Sequence, residues 1–563
     1  MMFNKIENEV DQLEFIDVIQ RLGVAYHFSN EIRNILDIIY NNQTSKLEKN
    51  LHATALKFRL LRQHHYDIST DVFDSFQDEL SGFKKDQILD VEGVEGILSM
   101  YEASFHSFED ETILDEARDF TSKFLKDFLN QNGDSHLSLQ ISHALELPLH
   151  WRVPRWEASC FINIYEKQQN KNDVLLHFAK LDFNILQSVY QEELKYTSRW
   201  WKETEIGEKL RFVRDRFVEN FIWNVGMSFN PEFEYFRKVL TKANALITII
   251  DDVYDVYGTL EELELFTEAI ERWDLNAIDS LPDYMQICYQ TLYNYVNEVE
   301  FEMLNKTGYS IAPYLKREWA GLCKVYMTEA KWYHSGYTPS FEEYIENAWI
   351  SISAPLMLIH AYFVIPNSFK VEDLHLLEEN SDMIRYSAMI LRLANDHSIL
   401  KREIETGDIP KSIQCYMMET GASETEAREH VKSMMDTIWK KMNKEACSSA
   451  FSKNFIELSI NLGRMALFIY QHGDGHTIQD PEIQNRIQSL IWNHIPIIST
   501  KCIPFMCGRI LVGVNLRLRK PCDLELKKLY NTNSISHVDK ISTIHSFRQY
   551  IYKLLLSTTV YNF

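Results

Sequence analysis

Apolar residues recur every three or four positions in long stretches of the chain. Within residues 239–266 they fall at Leu240, Ala243, Leu246, Ile247 and Ile250, which is the spacing of one face of an α-helix. Residues 356–365 and 383–400 follow the same period. Glycine and proline are sparse, at 18 and 13 among 563 residues, so few breaks interrupt these stretches. The pattern predicts an all-α fold.

The chain is too long for one ordinary core, so two domains are expected. The best candidate for the junction is residues 182–201, where an apolar helical stretch runs into Ser198-Arg199-Trp200-Trp201. We therefore predict an N-terminal helical domain over residues 1–190 and a C-terminal domain over residues 191–498.

The composition changes in the last part of the chain. After Thr500 there are ten lysines and arginines but three acidic residues, a balance of +7 in a chain whose formal net charge is −23. Three of the eight cysteines also lie there, at Cys502, Cys507 and Cys522. Residues 499–563 are therefore predicted to form a basic tail outside the fold.

The overall charge limits the classes of partner. A nucleic-acid-binding protein normally carries a basic face, so a balance of −23 argues against one. It does not argue against a polyanionic substrate, because metal ions reverse the local sign. The cysteines form no CxxC pair, which indicates reduced thiols. Charges interrupt every apolar run, so no membrane span is predicted.

Two aspartates follow an apolar stretch in Ile249-Ile250-Asp251-Asp252-Val253-Tyr254-Asp255. On a helix Asp251 and Asp255 share a face, whereas Asp252 points roughly 100° away. Two neighbouring carboxylates repel each other unless a cation lies between them, and carboxylate oxygens suit Mg²⁺. Taken alone, the pair is better explained as a solvated acidic helix end, although the apolar approach through Ile249 and Ile250 could deliver the carboxylates to the mouth of a cavity.

A second group of oxygen ligands lies further along the chain. Asn395 and Glu403 are about two helical turns apart, and Arg392 precedes Asn395 by one turn. Such an arginine could bind a phosphate that a metal also holds. The ordinary alternative is the mixed-charge end of an amphipathic helix.

Two further features are candidates for substrate contacts. Arg214 and Arg216 bracket an aspartate and could clamp a polyanion, although most such triplets are salt-bridged helix surface. Several aromatic residues near these motifs could stabilise a cation, although core packing explains most aromatics at helical spacing. They are Trp223, Tyr254, Tyr257, Trp349, Phe468 and Tyr470.

Together these stretches closely resemble the plant terpene synthase family, class I, of the mono- and sesquiterpene type. Residues 251–263 resemble its aspartate-rich motif, and other matches follow in the family's order: RLLRQH at 59–64, LELPLH at 145–150, SRWW at 198–201 and KSIQCYM at 411–417. The similarity extends over roughly residues 8–498. It implies a C-terminal class I terpenoid synthase fold preceded by an N-terminal helical domain.

The resemblance also implies a reaction and its site. The protein would be a lyase that ionises geranyl or farnesyl diphosphate with Mg²⁺, as a cluster of about three ions, or with Mn²⁺. The metal ligands would be Asp251, Asp255, Asn395 and Glu403. Diphosphate would be bound by Arg214, Arg216 and Arg392, and the hydrocarbon pocket would include Trp223 and Asp474. Asp251, Asp255, Arg214 and Arg392 are the residues expected to be catalytic.

One position departs from the family pattern. The middle ligand of the second metal motif is usually serine or threonine, but here it is Ile399, which offers no oxygen ligand. We expect weaker binding of one metal ion. This keeps open a catalytically dead helical homologue, and a chain-elongating prenyltransferase remains a second alternative.

The remaining expectations concern the state of the protein in the cell. The acidic start, Met1 to Glu9, looks like neither a secretory signal nor a transit peptide. As written, the chain is expected in the cytoplasm, and in the plastid if its N-terminus is truncated. A monomer is expected, with no nucleic acid partner. The length of the substrate and the product are left open.

Overall fold

The structure is a computed structural model that describes residues 6, 8–42, 50–76, 91–131, 136–366, 369–378, 381–398, 410–471 and 481–497. Every regular element in these ranges is helical, which confirms the all-α prediction. Ile399, Glu403, Asp474 and the tail 499–563 lie outside the described residues.

The first half of the chain forms helices α1 to α8. They are α1 Glu9–Arg21, α2 Ser29–Asn41, α3 Leu51–Gln63, α4 Val91–Ser104, α5 Thr112–Gln131, α6 His136–Glu146, α7 Pro154–Glu166 and α8 Asp173–Glu203, with 3₁₀ turns at Ala25–Phe28, Thr70–Phe76 and Leu149–Trp151.

The second half continues with α9 to α22. They are α9 Ile206–Lys209, α10 Phe217–Met227, α11 Glu234–Asp252, α12 Leu260–Arg272, α13 Asp283–Thr307, α14 Ala312–Ser335, α15 Phe341–Ser351, α16 Ala354–Val364, α17 Leu374–Glu378, α18 Asp382–Ser398, α19 Ser412–Thr420, α20 Glu424–Ser448, α21 Lys453–Tyr470 and α22 Pro481–Ile491, with a π turn at Val253–Tyr257 and 3₁₀ turns at Pro231–Phe233, Leu275–Ser280 and Val371–Asp373.

Helix α8 connects the two halves. It runs without interruption for 31 residues, so the predicted division at residue 190 falls inside one helix. Its C-terminal half is fastened to α11 by a fully buried ion pair, in which Arg237 Nε and Nη2 donate to the Glu193 carboxylate at 2.7 and 2.6 Å. Since α11 carries Asp251, this contact fixes the aspartate helix to the helix that joins the halves.

The last described residues also pack on α8. Asn184 exchanges hydrogen bonds with the backbone of Ile495, at 3.0 and 2.9 Å, and Gln187 donates to the carbonyl of Ser489 at 2.9 Å. One apolar cluster contains residues of both halves, from Leu13 to Ile495. The fold therefore includes the described chain through residue 497.

A break in one apolar stretch separates α15 from α16. Between them Ser353 has φ +66°, in the left-handed region that side chains rarely adopt. The whole stretch, Phe341–Val364, is long and apolar enough to cross a membrane by length and composition, but 83% of its most apolar window is buried inside the protein. That burial is typical of a core segment.

Candidate active site

The aspartates lie at the end of a buried helix. In α11 Ile249 and Ile250 are fully buried, and the helix ends at Asp252. The chain then widens into the π turn, which the N–H of Gly258 closes by donating to the carbonyl of Val253 at 2.9 Å. Asp251 is half-buried and Asp255, on the π turn, is exposed. The apolar approach thus delivers both carboxylates to a solvent-accessible helix end.

Arg214 is bound to this helix end by three hydrogen bonds. Its backbone N–H and Nε donate to the Asp252 carboxylate at 2.8 and 2.6 Å, and Nη2 donates to Asp251 Oδ2 at 2.6 Å. Burial alone would lower the pKa of the guanidinium, but the two carboxylates outweigh it and raise that pKa. The structure therefore brings together the predicted metal ligand Asp251 and the predicted phosphate ligand Arg214.

Asp252 was missed as a functional residue. It is 1% exposed, and burial raises the pKa of its carboxyl group while Arg214 opposes that rise. Helical spacing shows that Asp252 points away from Asp251, but the sequence does not show what it faces. It faces the loop of Arg214 and holds both the backbone and the side chain of that residue.

The second predicted motif lies on α18. Arg392 is buried, and its guanidinium donates to the carbonyl of Ala348 at 2.9 Å, to Ser351 Oγ at 2.9 Å and to Asn395 Oδ1 at 3.4 Å. Burial would lower its pKa, but nearby acidic groups raise it. Arg392 is thus fixed to α15, at the turn that precedes the break in the apolar stretch.

Asp396 organises the same region. Its carboxylate accepts hydrogen bonds from the Tyr344 hydroxyl at 3.1 and 3.0 Å and from the N–H of Ser412 at 3.3 Å, with Arg392 Nη1 at 3.4 Å. Asp396 is 1% exposed, whereas Asn395 beside it is half-buried. Of the two neighbouring residues, Asn395 is the one whose side chain remains accessible to a ligand.

Glu329 is a further acidic residue that no sequence motif indicated. On α14, it accepts hydrogen bonds from Ser351 Oγ at 2.6 Å and from Asn347 Nδ2 at 2.9 Å. Ser351 Oγ also accepts a hydrogen bond from Arg392, so Ser351 links the Glu329 carboxylate to that guanidinium. A lone glutamate in a helix carries no signal that would have identified it.

Tyr326 lies on α14 one turn before Glu329, and its ring packs against that of Tyr254 in the π turn, with centroids 5.5 Å apart. Burial raises the pKa of its hydroxyl well above the usual value, and the carboxylates of Asp251, Asp255 and Glu329 raise it further, while Arg392 opposes them. Helix α14 therefore contacts the π turn of the aspartates through Tyr326 and the surroundings of Arg392 through Glu329 and Ser351. The two predicted motifs, more than a hundred residues apart in sequence, are thus joined through α14.

The other predicted residues are placed as follows. Trp223 is buried, with its ring centroid 6.2 Å from that of Tyr470. Arg216 is half-buried at the start of α10. Phe468 instead packs against Trp156 of the N-terminal half, at 5.6 Å, so core packing accounts for it. Glu403 and Asp474 belong to segments outside the described residues.

The donor atoms suit magnesium. Among the described residues, no three histidine, cysteine, aspartate or glutamate side chains form a metal-binding group. Mg²⁺ does not need such a cage, because it commonly binds one or two carboxylates and completes its shell with water and substrate phosphate. Asp251 and Asp255 supply carboxylates at an accessible helix end, and Asn395 supplies an amide oxygen.

Two family descriptions match the chain. "Terpene synthase family, metal binding domain" matches residues 202–441, and "Terpene synthase, N-terminal domain" matches residues 1–145. The first includes Arg214, Asp251 and Asn395. The second covers α1 to α5 and most of α6.

Individual relatives agree with the family match. The chain is 54% identical over 502 residues to a protein named myrcene synthase, chloroplastic, from Quercus ilex, with 88% of this chain and 83% of that protein covered. A limonene synthase solved with 2-fluorolinalyl diphosphate has a TM-score of 0.84 at 44% identity, covering 88% and 92% of the two chains.

A further structure was solved with metal ions. Isoprene synthase from grey poplar leaves (Populus x canescens), in complex with three Mg²⁺ ions and dimethylallyl-S-thiolodiphosphate, has a TM-score of 0.83 at 44% identity and covers 88% of this chain and 95% of that one. With both family descriptions matched and the two motifs joined through α14, the chain belongs to the terpene synthase family and is a Mg²⁺-dependent lyase acting on a prenyl diphosphate.

Proposed function

We propose that this protein is a monoterpene synthase that converts geranyl diphosphate into a ten-carbon hydrocarbon or alcohol. The observation that carries the reaction is that α14 joins the pair Arg214–Asp251 to the pair Arg392–Asn395, because Tyr326 packs on the π turn and Glu329 binds Ser351, the partner of Arg392. The choice of a ten-carbon substrate rests on similarity to the myrcene and limonene synthases, since both named products have ten carbons.

Each predicted site residue has a proposed role. Asp251 and Asp255 would hold Mg²⁺ together with Asn395 and Glu403. Arg214, Arg216 and Arg392 bind the diphosphate. Trp223 and Asp474 belong to the pocket of the hydrocarbon chain.

The proposed chemistry is the heterolytic cleavage of the allylic carbon–oxygen bond, in which the bonding electron pair leaves with diphosphate. Bound Mg²⁺ neutralises charge on that leaving group. Arg392 is already fixed by four hydrogen bonds and presents a desolvated cation to the diphosphate. The ring faces of Trp223 and Tyr470 favour the resulting cation, which becomes a neutral product by losing a proton or by capturing water.

Arg214 has a different part in this scheme. In the structure its Nη2 is bound to Asp251, the proposed metal ligand. If Asp251 bound the metal, Arg214 could keep its two bonds to Asp252 while its Nη2 became available to the diphosphate. The exchange needs no movement of the loop backbone, because the N–H of Arg214 remains on Asp252.

The proposal extends to domains and location. The N-terminal domain is 1–190, the catalytic domain is 191–498, and the basic tail 499–563 lies outside the fold. The similarity to a relative named chloroplastic favours the plastid over the cytoplasm. We propose a monomer, which light scattering coupled to size-exclusion chromatography would test.

The experiment is product analysis by gas chromatography and mass spectrometry after incubation with geranyl or farnesyl diphosphate and Mg²⁺ or Mn²⁺. We expect ten-carbon products from geranyl diphosphate, with the Asp251→Asn variant as an inactive control. Preference for farnesyl diphosphate would contradict the substrate assignment. Elongated diphosphates formed with isopentenyl diphosphate would favour a prenyltransferase, and no diphosphate release from any substrate would favour a dead homologue.

A further inference from the structure

Three aromatic rings pack together at the loop that carries Arg214. This loop joins α9 to α10 and includes Phe212, whose ring stacks on Tyr257 with centroids 4.1 Å apart and planes within 6°. Tyr284 meets both rings edge-on, at 4.8 Å from Tyr257 and 6.0 Å from Phe212. Phe212 precedes Arg214 by two residues, and Tyr257 follows Asp255 by two.

The stack lies at the edge of the apolar core, because Phe212 and Tyr284 are partly buried against the core whereas Tyr257 is exposed. Tyr257 is 53% exposed and ends the π turn. Its edge-on partner Tyr284 donates from its hydroxyl to Glu262 at 3.0 Å, and Glu262 accepts the N–H of Thr259, also at 3.0 Å, in the capping box of α12. Tyr284 is thus bound to the first turn of α12, and its ring in turn contacts Tyr257 of the stack.

We propose that the stack of Phe212 on Tyr257 positions Arg214 against the aspartate helix for diphosphate binding. Besides the bond from Arg214 Nη2 to Asp251, two other contacts hold this loop in place. The Asp252 carboxylate holds the residue itself, and the stack holds the chain two residues before it. Tyr257 is therefore assigned as a positioning residue, since it acts on Arg214 through its stacking partner Phe212.

Stacking constrains this loop in a way that the ion pair does not. Arg214 must release Asp251 to reach a diphosphate, so at that moment the side chain loses one of its two bonds and the residue one of its three. The parallel rings are unaffected by the exchange and keep the loop in register with Asp255. Aromatic pairs of this kind change an equilibrium by roughly two- to tenfold beyond their burial, which sets the size of the expected effect.

The inference rests on the proposed function, and its test has one measurement that needs no turnover. Hydrogen–deuterium exchange of the amides of residues 211–216 is compared in the ligand-free wild type, Tyr257→Ala, Phe212→Ala, the double variant and Tyr257→Phe. Tyr333→Ala is the matched control, because Tyr333 is 56% exposed and its ring contacts its neighbour His334 at 5.5 Å. We expect faster exchange in the three alanine variants and wild-type exchange in Tyr257→Phe and the control.

The second measurement separates binding from chemistry. KM for geranyl diphosphate and the inhibition constant of inorganic diphosphate should rise two- to tenfold in Tyr257→Ala and in Phe212→Ala. The double variant should resemble either single one, kcat should change less than KM, and Tyr257→Phe should restore wild-type values. Unchanged melting temperatures establish that the variants are folded.

The two proposals fail in different ways. A wild type that turns over no prenyl diphosphate overturns the proposed function. An active wild type whose alanine variants keep wild-type exchange and wild-type KM overturns the positioning role. Additive effects of the two alanine substitutions also overturn it, because the residues would then act independently.

Discussion

Replacing Asp252 with asparagine tests whether the second aspartate of the motif holds Arg214 or binds metal. Asparagine keeps the shape of the side chain and one oxygen acceptor but removes the charge. Asp252 accepts two bonds from Arg214, from the backbone N–H at 2.8 Å and from Nε at 2.6 Å, and it is 1% exposed. Both bonds are charge-assisted in the native protein.

The expected magnitude follows from these contacts. A hydrogen bond to a charged group contributes roughly 1.5–3 kcal/mol. The Arg214 side chain is 31% exposed, so solvent screens part of the interaction, and we take the lower half of that range, about 2 kcal/mol. Since 1.36 kcal/mol is about tenfold, kcat/KM for geranyl diphosphate should fall by roughly 30-fold.

The assay is steady-state turnover across a series of Mg²⁺ concentrations. Asp215→Asn is the matched control, because Asp215 is an exposed carboxylate in the same loop that accepts one long bond, from the N–H of Phe217 at 3.4 Å. It should change kcat/KM by about twofold or less. Activity of Asp252→Asn within twofold of wild type would refute the reasoning. Recovery at high Mg²⁺ would also refute it, since that behaviour belongs to a metal ligand.

Three further predictions concern the rest of the chain. Ile399→Thr should raise turnover at limiting Mg²⁺ because threonine supplies an oxygen, whereas Ile399→Val should not; equal activity of the two at every Mg²⁺ concentration would contradict the weakened metal site. Truncation after Ile498 should leave melting temperature and turnover unchanged, because the contacts of residues 481–497 with α8 are retained; loss of soluble protein would show that the tail is needed. Burial lowers the pKa of His360 from 6.5 to about 4, so below pH 6.5 the unfolded chain takes up a proton that the folded protein excludes. Stability is therefore complete above pH 6.5 and decreases as the pH falls, by about 2 kcal/mol between pH 7.5 and 5 from this residue. Chemical denaturation should show a shallower pH dependence for His360→Gln, and an unchanged slope would rule His360 out as the cause.

The helical class was predictable because its signals are local. Sparse glycine and proline and a three-to-four residue period act within each segment, and α11, α16 and α18 lie within or across the stretches where that period is clearest. The π turn after Asp252 was not predictable. Whether Val253–Tyr257 closes as an α or a π turn depends on the bond from Gly258 to Val253 and on the packing of Tyr254 against Tyr326, neither of which has a pattern in the sequence.

The residues of the candidate site likewise fall into those with a local sequence signal and those without one. Asp251, Asp255, Arg392 and Asn395 could be named from motifs, because each motif is a short run of residues. Their partners could not, because those partners are set by how distant helices meet. Asp252 could be identified only from its contact with the loop of Arg214, 38 residues earlier in the chain. Glu329 could be identified only from the packing of α14 beside α15.

The two arginines nearest the metal motifs, Arg214 and Arg392, are held by different kinds of partner. This difference determines how the site can respond to its substrate. Arg392 is buried and bonded to a backbone carbonyl, a serine, an amide and a carboxylate, so its position is fixed before any ligand arrives. Arg214 is bonded to two carboxylates, one of which is the proposed metal ligand. In the proposed reaction only Arg214 changes partner when Asp251 is taken by a cation. The affinity of the site for diphosphate then depends on what keeps the Arg214 loop in place during the exchange, namely Asp252 and the stack of Phe212 on Tyr257. Substitutions there should change substrate binding more than the chemical step, whereas substitutions that release Arg392 should change the chemical step itself.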